Sequence, residues 1–514
     1  EKLLERLDSV IVEEIQSWDK LTSEDWYIFK GAVRYMCETL SMDSTKKTKD
    51  KSDQLQTLLD SLWLNDPDGK YKNVSEELFQ IEIDKHEAEA LRARVDFDRN
   101  VDAPTGVFTR LLERRNRENA MSLRIGGLLT NDRDSVGAAM ADHLNKIHAT
   151  RGCDKNPIFT SQIVSASNPI GDEIVADEVL AAIKKLRKNS SPGIDGFVPG
   201  FYKRYGEKIA PYLAMLYNNI LGGESPPNEF KTAIIRFIAK KGADTTEPKG
   251  WRPISLLNVD FKLLTAILAT RLQTVLSQMT TNLAYVPGRF IIENVINLDA
   301  SFKLETVNRY ILLTDFVAAF DSLSHDWIIH VVENSGLGNH FIKAVKFLLK
   351  DMVALPIIGV AQMNFKINLN AGVRQGDPLS GLLFNLCIEP LIRAVSAFNS
   401  LSLAYADDLA FVIKTKEEAI KLIQTIRSFE KTSGLKLNSI KSKLVEISNG
   451  FPTGNFEGIN FVSSFDYLGY GFNHDGIDQC FLIAKLDLLT EKLNNLKNLN
   501  LCLSQKVVVL NTYI

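Results

Sequence analysis

Two aspartates stand side by side at Asp407 and Asp408, within the string Tyr405-Ala406-Asp407-Asp408. The apolar runs Leu401 to Ala404 and Leu409 to Ile413 flank them, which reads as strand, tight acidic turn, strand. Carboxylates so placed are hard oxygen ligands suited to Mg²⁺ or Mn²⁺. Asp is also a good turn former in its own right, so the pair needs support from the rest of the chain. Successive strand side chains point to opposite faces, and a third carboxylate is therefore required. Asp315 is the candidate, because it ends the run Tyr310-Ile311-Leu312-Leu313-Thr314, and a buried strand that stops at an acid presents it at an edge. Nucleotide addition at a 3′ hydroxyl uses two ions roughly 3.5–4 Å apart, one lowering the hydroxyl pKa and one holding the departing pyrophosphate. Asp315, Asp407 and Asp408 are the predicted catalytic groups and metal ligands.

These acids must be carried by an ordered frame. Strands are predicted at Ala233 to Ala239, Tyr310 to Asp315, Leu401 to Ile413 and Leu435 to Leu437, with helices at Phe261 to Ser277, Pro378 to Ala397 and Lys416 to Thr432. The order strand, helix, hairpin, helix, strand after residue 308 implies an α+β sheet covered on one face. Residues 1–100 look all-helical. Leu4, Leu7, Ile11, Ile15 and Trp18 have helical spacing, as do Leu55, Leu58, Leu59, Leu62 and Trp63, and a long charged helix is predicted over Ser75 to Val95. Between the first two, Ser41 to Ser52 is poor in large apolar groups and reads as a mobile loop. A further helix carries the cluster Arg110, Arg114, Arg115 and Arg117, and residues 481–514 return to helix.

Composition is that of an ordinary globular protein, 45% apolar and 24% charged over 514 residues, and the length suits two to four domains. There is neither a signal-peptide pattern nor a run long enough to span a bilayer, so an intracellular, non-secreted protein is expected, in nucleus or cytoplasm. Five scattered cysteines argue against a zinc or disulfide framework. A net charge of -3 argues against nucleic-acid binding when taken whole, but residues 1–100 carry -8 and residues 101–514 carry +5. A basic stripe at Lys184, Lys185, Arg187, Lys188, Lys203 and Arg204, with Tyr202 and Tyr205 interleaved, is the predicted nucleic-acid surface. The chain starts at Glu1 and stops at Ile514 within an apolar helical run, so both ends look cut.

Eight strings occur in the order seen in the reverse transcriptases of non-LTR (LINE-type) retrotransposons: SSPGIDG from Ser190, KGWRPISLLNVDFKLL from Lys249, YVPGR from Tyr285, AFD from Ala319, GVRQGDPLS from Gly372, YADD from Tyr405, GLKLN from Gly434 and FDYLG from Phe465. The chain resembles that family from about residue 176 to 473. The resemblance implies an α+β, right-hand polymerase fold of fingers, palm and partial thumb with an all-helical N-terminal extension. The corresponding segments are 1–100 for the extension, 101–175 for an Arg-rich pre-fingers segment, 176–300 for the fingers, 301–473 for the palm with its metal site and 474–514 for the start of a truncated thumb. It further implies RNA-directed DNA synthesis, with an RNA template, a DNA primer or nicked DNA target, and deoxynucleoside triphosphates as partners.

By the same resemblance Lys240 and Arg252 bind the triphosphate, Phe320 is a steric gate against a 2′-hydroxyl, and Arg374, Gln375 and Gly376 belong to a turn that contacts the incoming nucleotide. Lys441 assists the departing pyrophosphate. Read physically, Asp377 is a good helix N-cap with Pro378 at the first helical position, and Gly376 lets backbone come close to a ligand. Three departures stand out: Ala318 where the family commonly has Lys, Ala239 where Pro is usual, and Gly381 in another Pro position. A domesticated or decayed copy that binds RNA without polymerising is the competing expectation.

Overall fold

The computed structural model describes residues 2–62, 70, 73–81 and 121–497, apart from residues 17, 19, 79, 189, 241, 304–309, 360, 399–400, 448–453 and 474. The predicted Arg110 to Arg117 cluster, most of the Ser75 to Val95 helix, Trp63 and residues 498–514 lie outside the described residues. Among the described residues no helix is long and apolar enough to cross a membrane.

Two helices open the chain, α1 (Lys2–Gln16) and α2 (Ser23–Leu62). The second runs unbroken through Ser41 to Ser52, where a mobile loop was expected. Scarcity of apolar residues there reports exposure, not loss of helix: Lys46, Lys47, Lys49 and Asp50 all face solvent, and Lys is a good helix former. Near its start α2 buries Trp26, Phe29 and Val33 in the main hydrophobic core, together with Ile11 and Ile15 of α1. Lys30, 1% exposed, lies between Asp195 at 2.6 Å and Asp260 at 2.7 Å. Asp260 also accepts from the Trp26 indole N–H at 2.9 Å.

After a short hairpin and the helix Arg133–Ile147 come α3 (Ala176–Lys185), α4 (Pro199–Gly222), β1 (Ala233–Ala239), β2 (Trp251–Leu256) and α5 (Val259–Met279). Strand β1 pairs antiparallel with β2, placing Ala239 opposite Trp251, and parallel with β4 (Val353–Ile358). The second half adds α6 (Ile291–Phe302), β3 (Tyr310–Thr314), α7 (Ser380–Ser396), β5 (Leu401–Tyr405), β6 (Asp408–Ile413), α8 (Lys416–Ser433) and β7 (Lys443–Glu446). Helix α8 shows why such residues form a helix: Thr415 caps the Glu418 N–H, Glu417 and Glu418 suit the first turn, and Gly434 closes the helix at φ 76°. Its stripe of Ala419, Leu422, Ile423, Ile426 and Phe429 is buried at helical spacing.

In the central sheet β3 lies between β6 and β7, antiparallel to both, and β5 follows β6 at the edge. This sheet is covered on both faces, not one. Tyr310 and Leu312 enter the main core, whereas Ile311 and Leu313 enter a second one with Val295, Leu298 and Phe302 of α6. The unbroken apolar run of β3 carries that message, since one-sided strands alternate with polar residues. The predicted strand Leu435 to Leu437 reduces to a single bridge between Leu437 and Phe316.

Candidate active site

Register brings the acids together. Leu409 pairs with Thr314, so Asp315, one step past β3, and Asp408, the first residue of β6, meet at the same end of the sheet. Tyr405 pairs with Asp408, leaving Ala406 and Asp407 as a two-residue turn with Ala406 at φ 54°. Asp315 is held by Asn438, whose Nδ2 donates to Oδ2 at 2.9 Å, and its own N–H donates to Ser442 Oγ at 3.1 Å.

The side chains divide as strand geometry requires. Asp407 faces a cavity of about 710 Å³ also lined by Lys240, Arg252, Phe320, Gln375 and Lys441. Asp408 faces a neighbouring cavity of about 380 Å³ with Lys443, Asp466 and Tyr467. Asp315 and Lys441 line both. Burial, followed by the charge of Asp315, raises the pKa of Asp407, with Arg252 working against the rise. Asp408 is pushed up to about 6 by withdrawal from water, then by Asp407 and Asp315. Desolvated carboxylates that raise one another are the chemistry a cation relieves. Among the described residues no three His, Cys, Asp or Glu side chains gather closely enough to enclose an ion by themselves. Mg²⁺ takes one or two carboxylates and completes its shell from water and substrate phosphate. The donor set therefore fits a divalent ion.

Around the larger cavity, burial and then the charges of Lys441 and Arg252 lower the pKa of Lys240, whose ammonium donates to the Lys249 carbonyl at 2.9 Å. The cavity sets the cations Lys240, Arg252 and Lys441 opposite the carboxylates Asp315, Asp321 and Asp407, so it offers contacts both to phosphate and to a divalent ion. Phe320 is half-buried and stacks on Phe384 with centroids 4.5 Å apart, so it is both a core ring and part of the cavity wall.

A model of the family described as reverse transcriptase (RNA-dependent DNA polymerase) matches residues 238–472, the stretch that carries all of these groups. Residues 238–472 form a reverse transcriptase domain. Its relatives agree. The chain is 28% identical over 321 residues to a retrovirus-related Pol polyprotein from the type-2 retrotransposable element R2DM of Drosophila melanogaster, covering 58% of this chain and 30% of that protein. It is 28% identical over 295 residues to a probable RNA-directed DNA polymerase from transposon BS of Drosophila melanogaster, covering 52% and 32%. A transposon TX1 uncharacterized 149 kDa protein of Xenopus laevis is 27% identical over 285 residues, covering 52% and 22%. The matched part thus spans well under half of each of these relatives.

Within the reverse transcriptase domain several expected roles move. Helix α7 begins at Ser380, two residues beyond the predicted start, and Asp377 instead accepts the Leu379 N–H at 3.0 Å in the preceding turn. Arg374 is 5% exposed, donates to the Lys231 carbonyl at 2.8 Å and stacks over Phe261 at 4.3 Å, so its side chain is a buried brace. Gly376 does not line the cavity. A Cβ there would lie 2.8 Å from the Ser255 carbonyl, and the close approach it permits is to β2. Gly381, where Pro was expected, lies beneath the Tyr285 ring, and a Cβ would meet that ring at 2.6 Å. Ala318 adopts φ 48° and ψ 50°, a left-handed conformation beside the cavity.

The basic stripe lies outside the matched residues. Lys184, Lys185, Arg187, Lys188, Lys203 and Arg204 are exposed, but Tyr202 and Tyr205 are buried, so neither ring is free to stack on a base. Arg204 and the Tyr205 hydroxyl both bond Asp8 of α1. Lys184, Lys203 and Arg204 line a cavity of about 490 Å³ that shares no residue with the two at the aspartates.

Two functional groups escaped the sequence reading although both stood inside quoted strings. Asp321, 7% exposed, accepts from Gln375 Nε2 at 3.2 Å. Its carboxyl is pushed up to about 7 by burial, with Gln375 and Lys240 opposing and Asp407 adding to the rise. Asn438 aims Asp315, and only its place after the GLKL run hinted at a role.

Proposed function

We propose that this chain is an RNA-directed DNA polymerase of a non-LTR retrotransposon, adding deoxynucleotides to a primer 3′ hydroxyl. The observation that carries the reading is the meeting of Asp315, Asp407 and Asp408 at one sheet end beside a cavity that Lys240, Arg252 and Lys441 also line. The 3′ oxygen attacks the α-phosphate, the bond to the bridging oxygen breaks, and pyrophosphate leaves. Bound Mg²⁺ or Mn²⁺ would lower the hydroxyl pKa and neutralise the leaving group. Asp315, Asp407 and Asp408 would hold the ions. Lys240 and Arg252 orient the triphosphate, Arg by paired hydrogen bonds and Lys as a compact charge. Phe320 closes the wall where a 2′-hydroxyl would stand, and Gln375, held by Asp321, sits beside it. Lys441, which borders both cavities, neutralises the pyrophosphate.

In this reading residues 176–300 are fingers, 301–473 the palm and 474–514 the start of a thumb, with α9 (Gln479–Lys497) as its described part. The extension within residues 1–100 packs on the fingers through α1 and the start of α2, and residues 101–175 lie between extension and fingers in sequence. RNA template, DNA primer or nicked target, and deoxynucleoside triphosphates are the partners. The stripe on and after α3 and on α4 binds nucleic-acid backbone through its exposed lysines and Arg187, with Arg204 paired to Asp8.

Extension of oligo(dT) on poly(rA) tests the proposal. The wild-type chain should incorporate dTTP only with Mg²⁺ or Mn²⁺, and Asp407→Ala should abolish incorporation while leaving the melting temperature intact. RNA retention without extension would favour the non-polymerising reading, which Ala318 motivates.

A further inference from the structure

The turn that carries Asp407 is strained, and the strain has a visible holder. Ala406 adopts φ 54°, a left-handed conformation that costs any residue with a Cβ and that persists only where surroundings impose it. The side chain imposing it is Asn282, 0% exposed and more than a hundred residues away in sequence. Its Oδ1 accepts the Ala406 N–H at 2.9 Å and its Nδ2 donates to the Ala406 carbonyl at 2.9 Å. One amide thus grips both polar groups of the residue between Tyr405 and Asp407, as a neighbouring strand would. The Leu283 N–H extends the contact by donating to the Ala404 carbonyl at 3.1 Å.

Asn282 is itself fixed. Arg289 donates to the carbonyls of Ser277 at 2.8 Å, Thr280 at 2.6 Å and Asn282 at 3.1 Å, curling residues 277–289 into a clip. Glu389 of α7, 2% exposed, accepts from the Thr281 N–H at 2.8 Å and closes the clip against the core. The YVPGR string therefore has a structural reason for its arginine: it ties down the loop that ties down the catalytic turn.

We infer that Asn282 is the positioning residue of the catalytic hairpin, its side-chain amide holding Ala406 in the left-handed conformation that sends Asp407 and Asp408 into their separate cavities. This rests on the proposed polymerase reading for its meaning but not for its test. A peptide-like grip needs one donor and one acceptor. Aspartate keeps the size and loses the donor, turning a carboxylate oxygen on the Ala406 carbonyl, whereas glutamine keeps both groups one methylene farther out.

Mn²⁺ binding, followed through the electron paramagnetic resonance signal of the free ion, is compared in the wild-type chain, Asn282→Asp, Asn282→Gln and Asp407→Ala, alongside melting temperatures. Removing an outer-shell partner typically weakens metal affinity about 10–100-fold, so Asn282→Asp should lose at least about tenfold with the fold intact. Asn282→Gln should fall between it and the wild type. In primer extension the loss should appear in kcat and in the Mg²⁺ concentration needed for half-maximal rate, with KM for dTTP little changed. Wild-type Mn²⁺ affinity in a folded Asn282→Asp protein would overturn the inference. So would losses in both Asn282 variants that merely follow their melting temperatures. If the wild-type chain binds Mn²⁺ yet extends no primer, the polymerase reading fails while the Mn²⁺ comparison still judges Asn282.

Discussion

Two clusters of acids among the described residues are treated in opposite ways. Asp195 and Asp260 are buried to 1% and 0% exposure and share the ammonium of Lys30. Burial works against the charge of Lys30, but Asp260 and Asp195 outweigh it and hold the ammonium above its usual range. Every remaining contact is also supplied: Trp26 and the Phe261 N–H serve Asp260, and the Phe197 N–H serves Asp195. Burial and then Asp260 still raise Asp195, with Lys30 opposing. At the catalytic end Asp407, Asp408 and Asp321 are raised too, and among the described residues none of them has an ammonium in direct contact. A satisfied cluster is architecture, joining α2 to the segments that begin α4 and α5. An unsatisfied one stores electrostatic repulsion that a cation and a triphosphate can relieve.

The largest effect expected from this contrast is on stability at the satisfied cluster. Lys30→Met leaves two carboxylates buried without a counter-charge, and breaking a buried pair in this way costs about 3–5 kcal/mol. Urea denaturation should show that loss, and adding Asp195→Asn to Lys30→Met should recover much of it. A single variant as stable as the wild type would mean that water reaches the cluster and the two sites differ less than their burial implies.

Asp321 should respond in the opposite sense. Its folded pKa of about 7 lies above the ordinary 3.8, so the folded protein holds the proton more tightly. The resulting stability is fully present below the unfolded pKa and is lost as pH rises through 7. Asp321→Asn removes that titration. Without metal, the variant should gain on the wild type from pH 4 to 7 and remain ahead at pH 8. The ceiling is about 4 kcal/mol, from some three pKa units at about 1.4 kcal/mol each. Parallel pH profiles for the two proteins would show that Gln375 and Lys240 already compensate the charge.

How much of this could be read from the chain depended on which interaction was local. The strand Ala233–Ala239 and helix α8 match their expected bounds within a residue, because hydrophobic spacing and caps are sequence-near. The acidic turn and Asp315 were legible for the same reason, each ending an apolar run. The second face of the central sheet was written in the uninterrupted β3 run but passed over. The burial of the Arg374 and Tyr202 side chains was not legible, because residue type does not say whether a polar or aromatic side chain points to solvent or to the interior. Lys30 and Asn282 could not be found at all: their partners lie 165 and 124 positions away, and nothing in the flanking residues marks them.

The smallest expected effect separates a surface pair from the buried one. Arg204 meets Asp8 across α1 and α4, with the arginine side chain 62% exposed, and hydrogen bonds from Arg204 and then Tyr205 hold Asp8 below the usual carboxylate range. Exposed pairs of this kind contribute about 0.2–1 kcal/mol. Arg204→Ala should therefore barely move the urea midpoint, and the little it costs should vanish in 1 M salt, where the screening length falls to about 3 Å. The Lys30→Met penalty should persist there, since buried charges are poorly screened. Equal salt sensitivity in the two variants would erase the distinction between the contact that fixes α2 and the one that merely steadies α1. In that case the basic stripe on α4 could not be treated as a surface available to nucleic acid while α1 stays in place.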